Sequence, residues 1–488
     1  MPCMIALGLF ATYLVLTIGV GIWASRRNSD SQEDYFLGGR SSSAFAMALS
    51  AVSSGRSAWL VLGASGAAWS SGLSAFWLFP GYILAEAWMF TSIGPRLRLR
   101  SIACGALTIP EVFERSVLGP NGRGSSRLPL RSLAGLVIVL FLWTYISAQL
   151  VAGGKTLGAI FPSLDGQTWG LVLTAGIVLV YTWLGGYRAV VVTDVVQACL
   201  MLVGIALLPL LGLIEVGGIS ALKEQLLAVD PTLMQFGAEP LIILGGFCIG
   251  LGSLGNPHIL VRHMSLEDPN TARTARRVGT TWNILMAAGA LGLGLVGRAL
   301  YPEASLLGEG GREMLFPVMA ADLSSTYLFA GFVGFLLATL FAAIMSTCDS
   351  QLLVIASSLI RDLGPRRDAG HDGGLLAGRL AVLGTLSGAV WLTFGESPLI
   401  HNLVLLSWFA LGVGLGPVLL LVLFDERTTA RGACAGILTG VLGIVGVWFF
   451  FLRESGGHVS WEAALVFLLS LGVTFALRSR DPRPSGHA

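Results

Sequence analysis

The chain has 488 residues, of which 54% are hydrophobic and only 12% are charged, and its formal net charge is +2. This composition excludes an ordinary soluble globular protein, and the dispersed basic residues give no sign of nucleic-acid binding. Continuous apolar stretches of helix length recur along the chain, whereas a transmembrane β-barrel would show short alternating segments. The sequence therefore predicts an all-α membrane protein.

About 20 apolar residues make one membrane span, and on that basis the chain predicts thirteen transmembrane helices within a single domain, residues 1–488. They cover residues 4–24, 44–69, 72–95, 131–161, 167–184, 187–215, 240–261, 277–300, 326–359, 375–394, 399–423, 431–452 and 459–477. Two connecting segments, 217–239 and 301–325, are long enough to hold short surface helices, EQLLAV and REMLFPVMAADL. No GxxxxGK(S/T) phosphate loop occurs, so transport powered by ATP is not expected.

The predicted loops on one side of the membrane, together with the C-terminal tail, hold most of the 30 basic residues, Arg262 among them. Basic residues are enriched in short cytoplasmic loops, so this side is expected to be the inside. An odd number of spans then puts the N-terminus outside and the C-terminus inside. Arg56 is left as the basic residue that falls within a predicted span.

Arg56 lies in the middle of the second predicted span, in the stretch 44–59. A charge at that depth costs several kcal/mol, so the side chain needs a cavity or a partner. Its neighbours Ser53, Ser54, Gly55 and Ser57 are weak helix formers, and non-helical backbone persists inside a membrane only where it lines an enclosed cavity. The stretch predicts a broken helix at a binding site. The alternative is an arginine near a helix end that reaches the lipid headgroups.

A second interruption, GLGSLGNPH from Gly250 to His258, falls in the seventh span, where Pro257 removes a backbone donor. Interrupted helices at corresponding positions of two halves indicate an inverted-repeat transporter, with the site between the breaks. The two expected repeats cover about 44–215 and 240–423, and the peripheral helices are 4–24, 431–452 and 459–477. The alternative for a glycine-rich helix is close packing, which is the interpretation for Gly412, Gly414 and Gly416.

Three acids also lie within predicted spans, namely Glu86, Asp194 and Asp349. Acids at membrane depth are proton sites, cation sites or counter-ions by default. Ser346 lies on the same helix face as Asp349, and hydroxyls beside a carboxylate are the hard oxygen ligands that a small cation requires. Ser350 is interpreted instead as a helix-packing residue. Alanine at Asp194 or Asp349 is expected to impair transport far more than folding.

Five segments carry a resemblance to a known family: DYFLGGRS (34–41), FAMALSAVSS (45–54), YTWLGGYRAVVVTDVVQ (181–197), GNPHILVR (255–262) and AAIMSTCDSQLLV (342–354). The chain resembles the sodium:solute symporter family, and most closely its sodium/proline symporter branch. The resemblance implies a LeuT-like fold of inverted five-helix repeats in the cell membrane. It implies a secondary active symporter and not an enzyme, with Na⁺ as coupling ion and proline, another amino acid or a carboxylate as solute. Neither nucleic acid nor an obligate protein partner is expected.

The resemblance also implies site residues. The positions corresponding to the family's sodium site are Ser53, Arg56, Ala343, Ser346 and Thr347, and a second cation region corresponds to Asp194 and Asp349. The positions expected around the substrate are Ser54, Arg56, Ser57, Trp59, Tyr145, Ile249 and Ser253. The chain departs from the proline branch at Gly55 and Arg56, where that branch has an aspartate and a methionine. It departs again at Ile249 and Ser253, where the branch has large aromatic residues.

These departures leave alternatives open. The Arg56 guanidinium could replace the sodium ion as a tethered cation that donates to Ser346 and Thr347, which would make transport sodium-independent or proton-linked. It could also bind a substrate carboxylate through a bidentate bond. An alternative of another class is a membrane sensor of solutes, in which the same core serves as an input domain.

Overall fold

The structure is a computed structural model that describes residues 2–26, 31–119, 129–160, 166–308, 311–327, 330–364, 374–393, 400–452 and 461–479. Within these ranges the chain is almost wholly helical, and an isolated parallel bridge joins Ser42 to Leu266. The predicted span ends at 161, 394, 399 and 459 lie outside the described residues.

The first half of the chain contains nine helices: α1 (Pro2–Ser25), α2 (Gln32–Leu37), α3 (Ala44–Ala58), α4 (Ser65–Ser71), α5 (Pro80–Trp88), α6 (Gly94–Ala103), α7 (Ile109–Leu118), α8 (Leu130–Ile160) and α9 (Gly166–Val216). The second half contains α10 (Ile219–Val229), α11 (Pro240–Gly255), α12 (Pro257–Ser265), α13 (Ala272–Leu300), α14 (Leu315–Tyr327), α15 (Val333–Ser357), α16 (Gly374–Leu392), α17 (Ile400–Phe424), α18 (Ala430–Val447) and α19 (Glu462–Ala476). These counts refer to α-helices of the described residues.

Among the described residues, eight helical segments are long and apolar enough to cross a membrane, and the bent pair α11–α12 makes up to nine. One of the eight, Ala44–Ala103, contains the second and third predicted spans, which separate at Gly72 (φ 63°). Shorter apolar helices at Thr168–Val180, Ala377–Leu392 and Glu462–Ala476 coincide with three further predicted spans. The all-helical architecture is confirmed, whereas the count of thirteen and the orientation of the termini stay predictions.

The helices differ from the predicted spans at two boundaries. The spans 167–184 and 187–215 form one helical segment, α9, which kinks at Gly186 (φ 58°, ψ −170°), a conformation that glycine adopts at no steric cost. The predicted span 326–359 begins too early, because α14 ends at Tyr327 and α15 starts at Val333. Both helices are apolar, so hydropathy alone did not separate them. Helices are present in the segments 217–239 and 301–325 as α10 and α14. Helix α10 is mostly exposed, as expected, whereas most of α14 is buried, so the expectation of a surface helix there is wrong.

Helices α11 and α17 approach each other through glycines. A Cβ atom added to Gly412 would overlap the Cα of Gly252 and lie 2.7 Å from the carbonyl oxygen of Leu251. A Cβ added to Gly255 would overlap the carbonyl oxygen of Leu411. Small residues at helix contacts let two backbones come close in a membrane, where packing replaces the hydrophobic effect as the driving force. The packing interpretation of Gly412 is therefore confirmed.

Alanine in place of Gly412 is expected to lower stability by about 1–3 kcal/mol, because the added methyl group forces α11 and α17 apart. The measurement is the thermal unfolding midpoint of the purified protein in detergent. Gly446→Ala in α18 is the matched control, since a Cβ there meets no atom within 4 Å. Equal midpoints for the two variants would show that the glycine contact is not limiting.

Candidate functional site

The first helix break lies at Ser57, whose backbone (φ 42°, ψ −175°) interrupts α3. A non-glycine residue in the left-handed region costs about 1–2 kcal/mol, so neighbouring groups must hold it there. The N–H of Ala58, freed by the break, donates to the side-chain oxygen of Gln149 at 3.0 Å. The Ser57 hydroxyl accepts from the N–H of Trp59 at 3.1 Å and lies 3.2 Å from the Tyr145 hydroxyl. The predicted break is confirmed, and Gln149 and Tyr145 of α8 contact the backbone and side chain exposed by it.

The second break lies at Asn256, where α11 and α12 meet at an angle of 55°. Asn256 has an extended ψ of 109°, and its side-chain amide donates to the carbonyl oxygens of Gly252 (2.7 Å) and Trp408 (3.3 Å). The indole of Trp408 donates in turn to the carbonyl oxygen of Ile249 at 2.8 Å. The predicted interruption before Pro257 is confirmed, and Trp408 of α17 makes polar contacts with Asn256 and Ile249 beside it.

A small pocket lies beside the two breaks. Its lining residues are Gly55, Arg56, Trp59, Tyr145, Ile249, Val404, Leu405 and Trp408. Its volume is about 10 Å³, which is room for about one water molecule, so the walls are nearly in contact in this conformation. Four predicted substrate residues, Arg56, Trp59, Tyr145 and Ile249, are brought together here.

The other three predicted substrate residues lie behind this lining. Ser54 contacts Asp194 and Ser350, Ser57 contacts Tyr145, and Ser253 donates to Glu86 at 3.3 Å. Sequence reasoning missed the α17 wall, which Val404, Leu405 and Trp408 form. Nothing in the local sequence of that apolar helix distinguishes a pocket-facing tryptophan from one that faces lipid.

Cysteines introduced at Ile249 and Leu405 are expected to react with a soluble thiol reagent, and substrate should protect them, because both side chains line the pocket. Leu419→Cys is the matched control on α17, fully buried and outside the lining. The native cysteines are replaced first. Labelling of the control as fast as the two test positions, or no labelling of the test positions under any transport condition, would contradict the assignment of this pocket.

Arg56 is buried, with 1% of its surface exposed, and it forms an ion pair with Glu86 of α5, which is 3% exposed. Its Nη2 donates to Glu86 Oε1, and the guanidinium carbon lies 3.9 Å from the centre of the Tyr82 ring. An arginine that reaches the lipid headgroups would be exposed, so that alternative is wrong. The membrane-depth acid Glu86 is thus the counter-ion of the membrane-depth arginine.

Buried oxygens converge where α3 meets α15. Ser346 Oγ lies 3.4 Å from the carbonyl oxygen of Ser53 and 3.3 Å from that of Ala343. Thr347 Oγ1 lies 3.0 Å from the carbonyl oxygen of Ser54 and 3.1 Å from that of Ala343. Carbonyl and hydroxyl oxygens at an unwound helix are the donor set that holds Na⁺ in transporters, so the chemistry of the cluster fits this ion.

The geometry of Arg56 does not match the tethered-cation alternative. That alternative places the guanidinium on Ser346 and Thr347, whereas the structure places it on Glu86. The side chain of Arg56 therefore points away from the oxygen cluster. Its main-chain carbonyl oxygen, which accepts from the N–H of Trp59, belongs to the last turn before the break.

Arg262 corrects the expectation that it lies in a basic loop. It belongs to α12, is 1% exposed, and its Nη2 lies 3.2 Å from Asp194 Oδ2. Its Nε donates to Ser50 Oγ at 3.1 Å and its Nη1 to the carbonyl oxygen of His258 at 2.6 Å. The predicted seventh span stopped at 261, so the sequence counted this arginine as a loop residue. Arg56 is therefore not the only almost fully buried arginine among the described residues.

Asp194 and Asp349 approach each other through Ser350. Ser350 Oγ lies 2.9 Å from Ser54 Oγ and 3.1 Å from Asp349 Oδ1, and it also accepts from Arg262. Ser54 Oγ lies 3.3 Å from Asp194 Oδ2. Ser350 therefore belongs to a polar network and is more than the packing residue that the sequence suggested. The cation roles of Asp194 and Asp349 stay predictions.

A membrane protein with two broken helices beside one pocket, and an oxygen cluster at the first break, has the architecture of a secondary transporter. Among solved structures, a Na⁺-coupled sialic acid symporter in a substrate-bound outward-open state shares the fold, with a TM-score of 0.76 and 19% identity over 97% of both chains. MhsT in complex with L-phenylalanine gives a TM-score of 0.54 at 17% identity, over 89% of this chain and 99% of that chain.

The model of the sodium:solute symporter family matches residues 35–440. Sodium/proline symporter 2 of Staphylococcus saprophyticus is 35% identical, covering 97% of this chain and 92% of that protein. A sodium/proline symporter of Staphylococcus aureus is 33% identical, covering 98% of this chain and 93% of that protein. The chain belongs to the sodium:solute symporter family. It is a cell-membrane transporter and not an enzyme.

Proposed function

We propose that this protein couples the entry of Na⁺ to the uptake of a small solute that carries a carboxylate, with proline or another small amino acid as the first candidate. The observation that carries the proposal is the convergence of buried oxygens from Ser53, Ala343, Ser346 and Thr347 beside the α3 break. The names of the relatives, sodium/proline symporters, agree with it.

Sodium at this cluster would connect the α3 break to α15. The two hydroxyls, which now donate to carbonyl oxygens, would turn their lone pairs toward the ion, so the site needs no further acid. Arg56 and Trp59, which flank the break at Ser57, both contribute to the pocket wall. An ion that orders this segment therefore favours the substrate-binding arrangement, which is coupling in the thermodynamic sense.

The pocket chemistry supports a solute with an apolar body and one carboxylate. Trp59, Tyr145 and Trp408 supply aromatic surface, and the wall contains one cation, Arg56. Among the described residues no group accepts from Arg56 Nε, so that donor is available to a ligand. A guanidinium binds a carboxylate through charge-assisted hydrogen bonds, which are about twice as strong as neutral ones.

Uptake of radiolabelled L-proline into proteoliposomes tests the proposal, with an inward Na⁺ gradient, with choline in its place, and with a proton gradient alone. A panel of unlabelled amino acids, carboxylates, sugars and prolinamide competes for uptake. The expected result is Na⁺-dependent uptake that carboxylate-bearing solutes inhibit and prolinamide does not. Uptake driven by the proton gradient without sodium would refute sodium coupling, and inhibition by sugars alone would refute the substrate class.

A further inference from the structure

One carboxylate connects both broken helices. Glu86 of α5 accepts from Arg56 Nη2 at the first break and from Ser253 Oγ of α11, at 3.3 Å, just before the second. Its other oxygen accepts from Asn283 Nδ2 of α13 at 2.8 Å. A Cβ atom added to Gly55 would lie 3.7 Å from Glu86 Oε1, so the carboxylate lies directly beside the first break.

Arg56 needs Glu86 as a partner more than Glu86 needs Arg56. The guanidinium keeps its proton under all ordinary conditions, so a buried Arg56 always needs a negative partner. Glu86 has two further donors, Ser253 and Asn283, that hold its carboxylate whether or not Arg56 is bound. Because Arg56 also lines the pocket, an incoming carboxylate meets a cation that already has an anionic partner.

We propose that Glu86 is an internal competitor for the substrate: it neutralises Arg56 between transport cycles and yields it to the substrate carboxylate. This inference rests on the proposed function and adds a specificity-determining residue to it. When the substrate carboxylate binds Arg56, Glu86 stays with Ser253 and Asn283, and the connection that Glu86 makes between α3 and α11 is lost. Substrate binding thereby frees the two broken helices to move relative to each other.

The test is equilibrium binding of L-proline, acetate and prolinamide to the purified protein, measured by isothermal titration calorimetry. Glu86→Gln removes the competing charge, so the Kd for both carboxylates is expected to fall about tenfold or more. Prolinamide affinity should stay unchanged. Turnover in proteoliposomes should slow, because tightly held substrate leaves slowly.

A second variant is expected to change the affinity for carboxylates in the opposite direction. Asn283→Ala removes one of the two donors that would hold the Glu86 carboxylate after Arg56 leaves it, so Glu86 releases the guanidinium less readily and carboxylate binding is expected to weaken. A merely structural role for the network would weaken binding in both variants. Glu313→Gln, a buried glutamate that pairs with Lys155, is the control for loss of a buried acid elsewhere.

The inference is overturned if the Glu86→Gln protein binds L-proline and acetate no more tightly than the unmodified protein does, or if prolinamide gains equally. A Glu86→Gln protein that binds neither carboxylate overturns it as well. Should Glu86→Gln fail to fold, Asn283→Ala is compared across ligands. Weaker binding of L-proline and acetate with unchanged binding of prolinamide supports the inference, and an equal loss for prolinamide, or no loss for the carboxylates, overturns it. Tightened acetate binding without Na⁺-driven uptake would refute the proposed function alone, whereas Na⁺-driven uptake without tightening would refute the role of Glu86 alone.

Discussion

Asparagine in place of Asp194 is expected to destabilise the folded protein by about 3–5 kcal/mol, because Arg262 would remain charged inside the protein without its counter-ion. The two side chains lie 3.2 Å apart and are almost fully buried. The sequence alone suggested that a change at Asp194 would affect transport far more than folding. The ion pair adds the expectation of a large loss of stability. The measurement is the unfolding midpoint of the protein in detergent or nanodiscs.

Two further variants test whether the unpaired charge of Arg262 causes the loss of stability. Asp194→Asn combined with Arg262→Gln removes both charges, and it is expected to recover a large part of the lost stability. Asp425→Asn is the control, since its pair with Arg478 is partly exposed and contributes at most about 1 kcal/mol. If the double variant is less stable than Asp194→Asn alone, the charge argument is wrong and the hydrogen bonds of Arg262 carry the effect.

Alanine in place of Thr347 is expected to raise the Na⁺ concentration for half-maximal uptake by about tenfold or more. Its hydroxyl lies 3.0 Å from the carbonyl oxygen of Ser54 and 3.1 Å from that of Ala343, in the centre of the oxygen cluster. A hydrogen bond or contact to a charged group contributes about 1.5–3 kcal/mol, and 1.4 kcal/mol corresponds to a factor of ten. The Na⁺ dependence of initial uptake rates measures this directly.

Ser357→Ala is the matched control for Thr347→Ala, because Ser357 lies on the same helix and donates to the carbonyl oxygen of Val354 of that helix. It should leave the Na⁺ dependence unchanged. Thr347→Ser keeps the hydroxyl and is expected to restore most of the affinity. Normal Na⁺ dependence in Thr347→Ala would place the sodium ion elsewhere, with the polar network around Asp349 as the next candidate.

Local sequence determined where the chain breaks. A run of serine and glycine before Ser57 and the Asn256-Pro257 pair each disfavour helix over a few residues, whatever the rest of the chain does. The same local signals, apolar length and small residues, predicted the all-helical membrane architecture and the close contact at Gly412. The presence of Arg56 and Glu86 at membrane depth also followed from sequence, because each lies within a long apolar stretch.

Only the tertiary structure decided which of these groups pair. Hydropathy and helix periodicity describe neighbours within a few turns of one helix. Arg262 pairs with Asp194, and Trp408 donates to the carbonyl oxygen of Ile249, between helices that are far apart in the sequence. The sequence therefore supplied Arg56 with several plausible partners, and the folded arrangement placed Glu86 of α5 against its guanidinium. Side-chain direction at a break depends on backbone angles such as those of Ser57, which no local pattern specifies, so the pocket wall and its ion pairs emerge from the folded arrangement alone.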